Sequence, residues 1–351
     1  MSTAADQHAP TPAVGPRRLL IIAAGALILI APGVVVSLAW SAEAASPIIL
    51  GSLVGAIATV ALGWRLALVE VFILGMSIPV AVVAGAEPLA GAGLMALLCL
   101  FTGLSAAWGM NNAFRMVPLV LAYPMIHPPP LGALPTDRMD PAYLLALTGL
   151  MVGGALWMTV IISVFARHRS IPELQPAARA DAIEYTILIT VLVTVNTFIV
   201  LLLKPSSEGA WLILTLIAVT QLGPMVTVRR TVLRIVGTVI GTGVAAGIGI
   251  VVTSPAAQQL IAVVAITAAM YFRSSAYWLY VSFLTPAVVL LSSSGDVAET
   301  GEYRLAYTVI GATQVLLACA LAVGYQRLRE GGRAPASTLQ AEPLAAPAPV
   351  D

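Results

Sequence analysis

Charged side chains are scarce in this sequence, and two of them stand inside long apolar runs. Glu70 lies about six residues into the run 64–84, and Arg234 lies at a similar depth in the run 230–252. At about 1.5 Å per helical residue that is roughly 9 Å of depth. A charge inside a bilayer costs about 2.5–3.5 kcal/mol on insertion scales, so such a residue is a candidate for function. Arg65 to Glu70 and Arg229 to Arg234 are equal separations. The two charges are therefore expected to be near-equivalents that face each other, as an ion pair or as a proton and anion site. The plainer alternative has Arg234 snorkelling to the headgroups and Glu70 facing a wet crevice.

Three amides, Asn196, Gln221 and Gln314, lie within or at the ends of apolar runs. Each could donate to a substrate carboxylate, or bond to a neighbouring helix, which is the commoner use. Prolines interrupt two short runs at matching places, Pro118 and Pro124 in one and Pro286 in the other. Paired broken segments point to a transport pathway between them, with simple packing kinks as the competing reading. Tyr123 and Trp278 could stack on an aromatic ring there or anchor at the interface. Asn111, Asn112 and Arg115, with Arg230, form a candidate cytoplasmic entrance that attracts anions. As basic-loop residues they need no such role.

Other chemistries find no support. Cys99 and Cys319 lie in apolar runs, and His8, His127 and His168 are far apart, so neither a metal nor a cofactor is expected. No nucleophile–base pair suggests an enzyme. The glycine pairs Gly51/Gly55, Gly149/Gly153 and Gly237/Gly241 have the spacing of close helix packing rather than of a phosphate loop.

The elements that position these residues are membrane helices. The chain of 351 residues is 59% hydrophobic and only 9% charged, against roughly 25% charged in soluble domains. Such a surface needs lipid and excludes a nucleic-acid-binding role. Apolar runs predict twelve spans, near 18–40, 47–63, 64–84, 88–108, 113–127, 141–166, 183–203, 208–225, 230–252, 256–273, 276–292 and 304–326. The first, of about 22 apolar residues, is too long for a signal-peptide core. With the amino end inside, only Arg138, Lys204 and Arg304 of the 17 basic residues fall outside, which predicts cytoplasmic termini.

The second half echoes the first at an offset of about 160 residues. Gly63-Trp64-Arg65 corresponds to Gly223 through Arg230, Phe114-Arg115 to Phe272-Arg273, and Phe165 through Arg169 to Tyr325 through Arg329. The predicted organisation is a disordered tail (1–17), a six-helix repeat (18–166), a cytoplasmic linker (167–182), a second six-helix repeat (183–326) and a disordered tail (327–351). The repeats are parallel. His127-Pro128-Pro129-Pro130 reads as a stiff spacer in the longest outer loop.

From Tyr185 onward the pattern becomes more specific. Gly209-Ala210-Trp211 leads a span ending Gln221-Leu222-Gly223-Pro224, followed by Arg234, Gly237-Thr238 and Gly241, and later by Arg304, Thr308 and Gly311. This resembles the fusaric-acid-resistance and aromatic-acid-exporter family, in a compact form without that family's large cytoplasmic region. The resemblance implies a multi-pass protein of the bacterial inner membrane that exports aromatic or other weak organic acids, driven by the proton gradient. It also implies a periplasmic adaptor protein and a homodimer as partners. Two other readings remain open on the residues: a passive organic-anion channel of the same fold, and a membrane scaffold that moves nothing.

Overall fold

The computed structural model describes residues 16–165, 173–203, 209–252, 254–272, 276–292 and 297–331. Among the described residues the regular structure is helical, with one isolated bridge between Leu131 and Leu134. Twelve helices have ten residues or more. They are α1 (Pro16–Ala39), α2 (Ala45–Leu62), α3 (Trp64–Ala84), α4 (Pro88–Leu104), α5 (Met116–Ile126), α6 (Pro141–Phe165), α7 (Arg179–Leu203), α8 (Ala210–Val219), α9 (Pro224–Val251), α10 (Pro255–Phe272), α11 (Tyr277–Ser292) and α12 (Val297–Gly331). A helical turn, Asn111–Phe114, leads into α5. Each helix falls on one of the expected apolar runs.

The local chemistry explains the boundaries. Five helices open on proline, whose missing N–H costs nothing at a helix start. Gly63 (φ 78°, ψ 165°) breaks the chain between α2 and α3, and Gly223 (φ 86°, ψ 133°) does so before α9. A side chain rarely tolerates that conformation. Several expected ends move: α9 starts at Pro224 rather than 230, α12 spans Val297–Gly331 rather than 304–326, and α7 starts at Arg179, which shortens the linker. The linker's remainder packs inward, with the Ala177 N–H donating to the Ala106 carbonyl. The tails, 1–15 and 332–351, lie outside the described residues.

Eight helices are long and apolar enough to cross a bilayer: α1, α2, α3, α4, α6, α7, α9 and α12. That count is of the described residues, and of the other four helices α5 and α8 are clearly shorter than expected. α5 has 11 residues and α8 has 10, about 15–16 Å at 1.5 Å each. The reason is local: Pro124 stands inside α5, and α8 unwinds over Thr220 to Gly223. Non-helical backbone at membrane depth is tolerated only where protein surrounds it. That condition is met. α5 and α8 pack against each other and bury Val120, Leu121, Ile213 and Leu216 completely. The unwound stretch is bracketed by Thr227, whose hydroxyl accepts from the Gln221 N–H and donates to the Gln221 carbonyl.

Long helices enclose this centre through the pairs α2–α6, α3–α6, α4–α7, α9–α11 and α9–α12. A β-carbon at Gly51 or Gly55 would overlap the carbonyl of Met151 or Ala155, and one at Gly237 or Gly241 would strike α11. Gly149 and Gly153 correct the expectation, since nothing lies within 4 Å of either. Gly154 makes the close approach instead, against Ile48. Large apolar residues such as Phe72, Met76 and Val80 on α3 face outward, as a lipid-contacting surface requires. α1 lies at the edge. Its Pro32 cannot donate to Ile28, and the Trp157 indole of α6 donates to that freed carbonyl at 3.0 Å.

The loop between α5 and α6 is no free spacer. Pro129 is buried, Leu131 is fully buried, and the Tyr143 hydroxyl donates to the Pro129 carbonyl. Arg138 donates to the carbonyls of Val82, Met125 and Ile126, tying the ends of α3 and α5 together.

Candidate functional site

One cluster brings together residues from four helices and two turns at the end of the bundle where α5, α9 and α11 begin. α9 supplies Arg230 and Arg234, one helical turn apart and so on one face. The Arg230 guanidinium carbon stands 4.3 Å from the centre of the Tyr277 ring, and its Nη1 donates to Gln221 Oε1 at 3.4 Å. Arg234 Nη1 lies 3.5 Å from the Tyr277 hydroxyl. Both guanidinium groups are half-buried, and the Nε of each is buried without an acceptor. Neither forms an ion pair among the described residues.

α7 adds Tyr185, 2% exposed, with its hydroxyl buried. It lies beside Asn111 and within electrostatic reach of Arg115 and Arg230. Arg115 is the residue from which α5 starts, and Tyr277 is the first residue of α11. The positive ends of α5 and α11 therefore open toward the cluster. Guanidinium forks, amide and hydroxyl donors and an aromatic face together suit an organic anion.

The structure unites two groups that the sequence kept apart. Asn111, Arg115 and Arg230, expected as an entrance, join Gln221 and Arg234, expected deeper. Asn112 is exposed and points away. Gln221 has a second task, since its Nε2 donates to the carbonyls of Thr220 and Ala218 at the end of α8. Asn196 is buried but spends its Nδ2 on Leu192 of its own helix, at 2.8 Å. Gln314 keeps a buried Oε1 without a donor.

Glu70 and Arg234 do not pair. Glu70 is 0% exposed, on the buried stripe of Ala67, Val71, Leu74 and Ile78, and both carboxyl oxygens lack a hydrogen-bond partner. α3 packs on α6 and α5, whereas α9 packs on α11 and α12, and Arg234 is engaged by Tyr277. Full burial also removes the wet-crevice alternative. α5 and α11, expected to flank a pathway, share no extensive packing. α5 packs on α3 and α8, α11 packs on α9 and α10, and only their starts approach the cluster. Pro124 is buried in the centre, and Pro286 abuts Gly241.

Of the stacking candidates, Tyr123 faces His127 and Trp278 is 37% exposed. Tyr277 takes that place. Tyr185 and Tyr277 gave no periodic signal, because their partners come from other helices; only the proximity of Tyr277 to a helix start hinted at its role. Near the far end, the Arg304 guanidinium covers the Trp211 ring at 4.2 Å.

Residues 185–318 match the family described as fusaric acid resistance protein-like. Over this segment the chain is similar to that family. No curated protein and no solved structure matches it. The fusaric-acid-resistance-like segment contributes Tyr185, Gln221, Arg230, Arg234 and Tyr277 to the cluster, and Asn111 and Arg115 come from the half before it. With eight span-length helices, the chain is a multi-pass membrane protein.

Proposed function

We propose that this protein exports small organic acids, aromatic carboxylates among them, across the bacterial inner membrane as a proton-coupled secondary transporter. The carrying observation is the Arg230–Arg234 pair: two half-buried guanidinium groups one turn apart, sharing Tyr277, with no acid beside them. Like charges at that spacing repel, and partial desolvation sharpens the cost. An arriving carboxylate relieves it through a charge-assisted fork.

Unmet polar groups extend this reading beyond the cluster. Buried oxygens without partners include Thr190, Thr194 and Thr197 on α7, Thr242 on α9, Thr285 on α11 and Gln314 on α12. Buried polar groups ordinarily find partners. In the first half Ser52, Thr59, Thr102 and Thr159 all donate to carbonyls. The concentration of unmet polar atoms in the family-matched segment favours a polar route there.

The architecture proposed is two parallel six-helix repeats, α1–α6 and α7–α12, with both termini in the cytoplasm. Packing supports it, because the pairs recur. α2–α6 matches α8–α12, α3–α6 matches α9–α12, α3–α5 matches α9–α11, and α4–α7 matches α1–α10. Gly63 and Gly223 repeat the same unusual turn. On this arrangement the cluster lies on the cytoplasmic side, where an exporter loads, and a periplasmic adaptor and a second copy are proposed partners.

Purified protein in liposomes carrying a pH gradient, with radiolabelled benzoate as probe, tests the reading. Gradient-driven accumulation is expected, with at least tenfold loss in Arg230→Ala/Arg234→Ala. Flux that ignores the proton gradient would mean a channel, and no flux would mean a scaffold.

A further inference from the structure

Gly63 and Gly223, each at positive φ just ahead of a helix, fix a common register for α3 and α9. Counting from Gly63 and from Gly223, Ala67 falls on Thr227, Val71 on Thr231, Ile78 on Thr238 and Ala81 on Gly241, and every one of these residues is buried. The agreement extends over four helical turns. In that register Glu70, seven residues past its glycine, falls on Arg230 and not on Arg234, whose counterpart is Leu74. The step that carries the central guanidinium in one half carries a carboxyl in the other.

The surroundings of that carboxyl limit what it can bind. Glu70 is 0% exposed, and neither oxygen has a hydrogen-bond partner. α3 packs against α2, α4, α5 and α6. α2 carries no titratable side chain, α4 carries Cys99, α5 carries Tyr123 with Arg115 at its start, and α6 carries Tyr143. On α3 itself Arg65 lies against Trp64, and Arg138 is bonded to carbonyls at the opposite end. None of them bonds to Glu70. A hard metal ion requires about six oxygen ligands, and no second side-chain oxygen meets this carboxyl. A proton requires one.

We propose that Glu70 is the proton-carrying residue of the transport cycle, the charge-inverted counterpart of Arg230. The first half then moves the proton and the second half moves the anion. An O–H bond forms at Glu70 with a proton from the water on one side of the membrane. It breaks toward the water on the other side, so the net change is one transferred proton. The packing around Glu70 must open to each side in turn, as rocking repeats allow. The coupling rests on the anion reading above; the proton site itself does not.

Two measurements separate these. Infrared spectroscopy of the full-length protein in lipid should show a protonated-carboxyl stretch that titrates with bulk pH and is missing in Glu70→Gln. In liposomes, Glu70→Gln should keep benzoate counterflow but lose at least tenfold of the accumulation driven by a pH gradient, and Glu70→Asp should regain part of it. A Glu70→Gln protein that accumulates benzoate like the wild type, or a spectrum identical to the wild type across pH, overturns the proposal. If the wild type moves no benzoate, the transport reading falls, and the carboxyl stretch alone decides the proton site.

Discussion

The guanidinium carbon of Arg230 stands over the Tyr277 ring, 4.3 Å from its centre, and the same ring's hydroxyl faces Arg234. One tyrosine thus orients both cations of the cluster. A cation over an aromatic face is worth about 0.5–2 kcal/mol, a factor of about 2–30 in affinity. Arg230→Lys keeps the charge but loses the planar fork and should weaken benzoate binding within that range. Tyr277→Phe keeps the stack and should cost only a few-fold. Tyr277→Ala, which frees both arginines, should cost the most. Half-saturation of benzoate flux in liposomes ranks the three, and equal effects would show that Tyr277 does not orient the pair.

Glycine positions that look alike in sequence should differ in consequence. Gly51 faces the Met151 backbone, which cannot move aside, whereas Gly149 meets nothing within 4 Å. Overpacking typically costs about 1–3 kcal/mol. Gly51→Ala should lower the thermal midpoint of the detergent-solubilised protein by several degrees, and Gly149→Ala should leave it unchanged. A comparable loss at both would mean that Gly149 packs against something outside this chain.

The helices themselves were legible from apolar run length, because lipid allows few other structures. The fifth run already read as short and proline-broken, and α5 is short. α8 read as an ordinary span, since burial in protein and burial in lipid leave the same apolar composition. The candidate charges were equally visible, yet their partners were not. Arg234 meets Tyr277, 43 residues away, and no spacing within either helix reports that contact. Glu70 and Arg234 do not meet. Equal spacing from Arg65 and Arg229 does not give equal helix phase, because Gly63 lies two residues before one and Gly223 six before the other.

Arg138 should matter for stability rather than for transport. It donates to three carbonyls at the ends of α3 and α5, and burial lowers its basicity without removing its charge. Hydrogen bonds from charged groups contribute about 1.5–3 kcal/mol each. Arg138→Ala should therefore destabilise the protein by at least about 2 kcal/mol, lowering the thermal midpoint. Arg138→Lys, with a single nitrogen in place of the fork, should recover only part. Benzoate affinity of the folded fraction should stay at the wild-type value.

The proposed orientation makes a sharp demand on α5, whose 11 residues reach about 16 Å, half the hydrocarbon thickness of a bilayer. For α5 to connect opposite sides, the turns around it must dip into the protein, as buried Asn111 and buried Leu131 do on either flank. In a background lacking Cys99 and Cys319, exposed Asn112 and Asp137 bracket the segment, and exposed Gln175 and Glu87 mark the two sides independently. Asp137→Cys and Glu87→Cys should react with an impermeant maleimide in intact cells. Asn112→Cys and Gln175→Cys should react only after permeabilisation. Same-side labelling of Asn112→Cys and Asp137→Cys would turn α5 into a re-entrant segment. The crossings would then be odd in the first half, and the parallel relation between the halves would be lost with them.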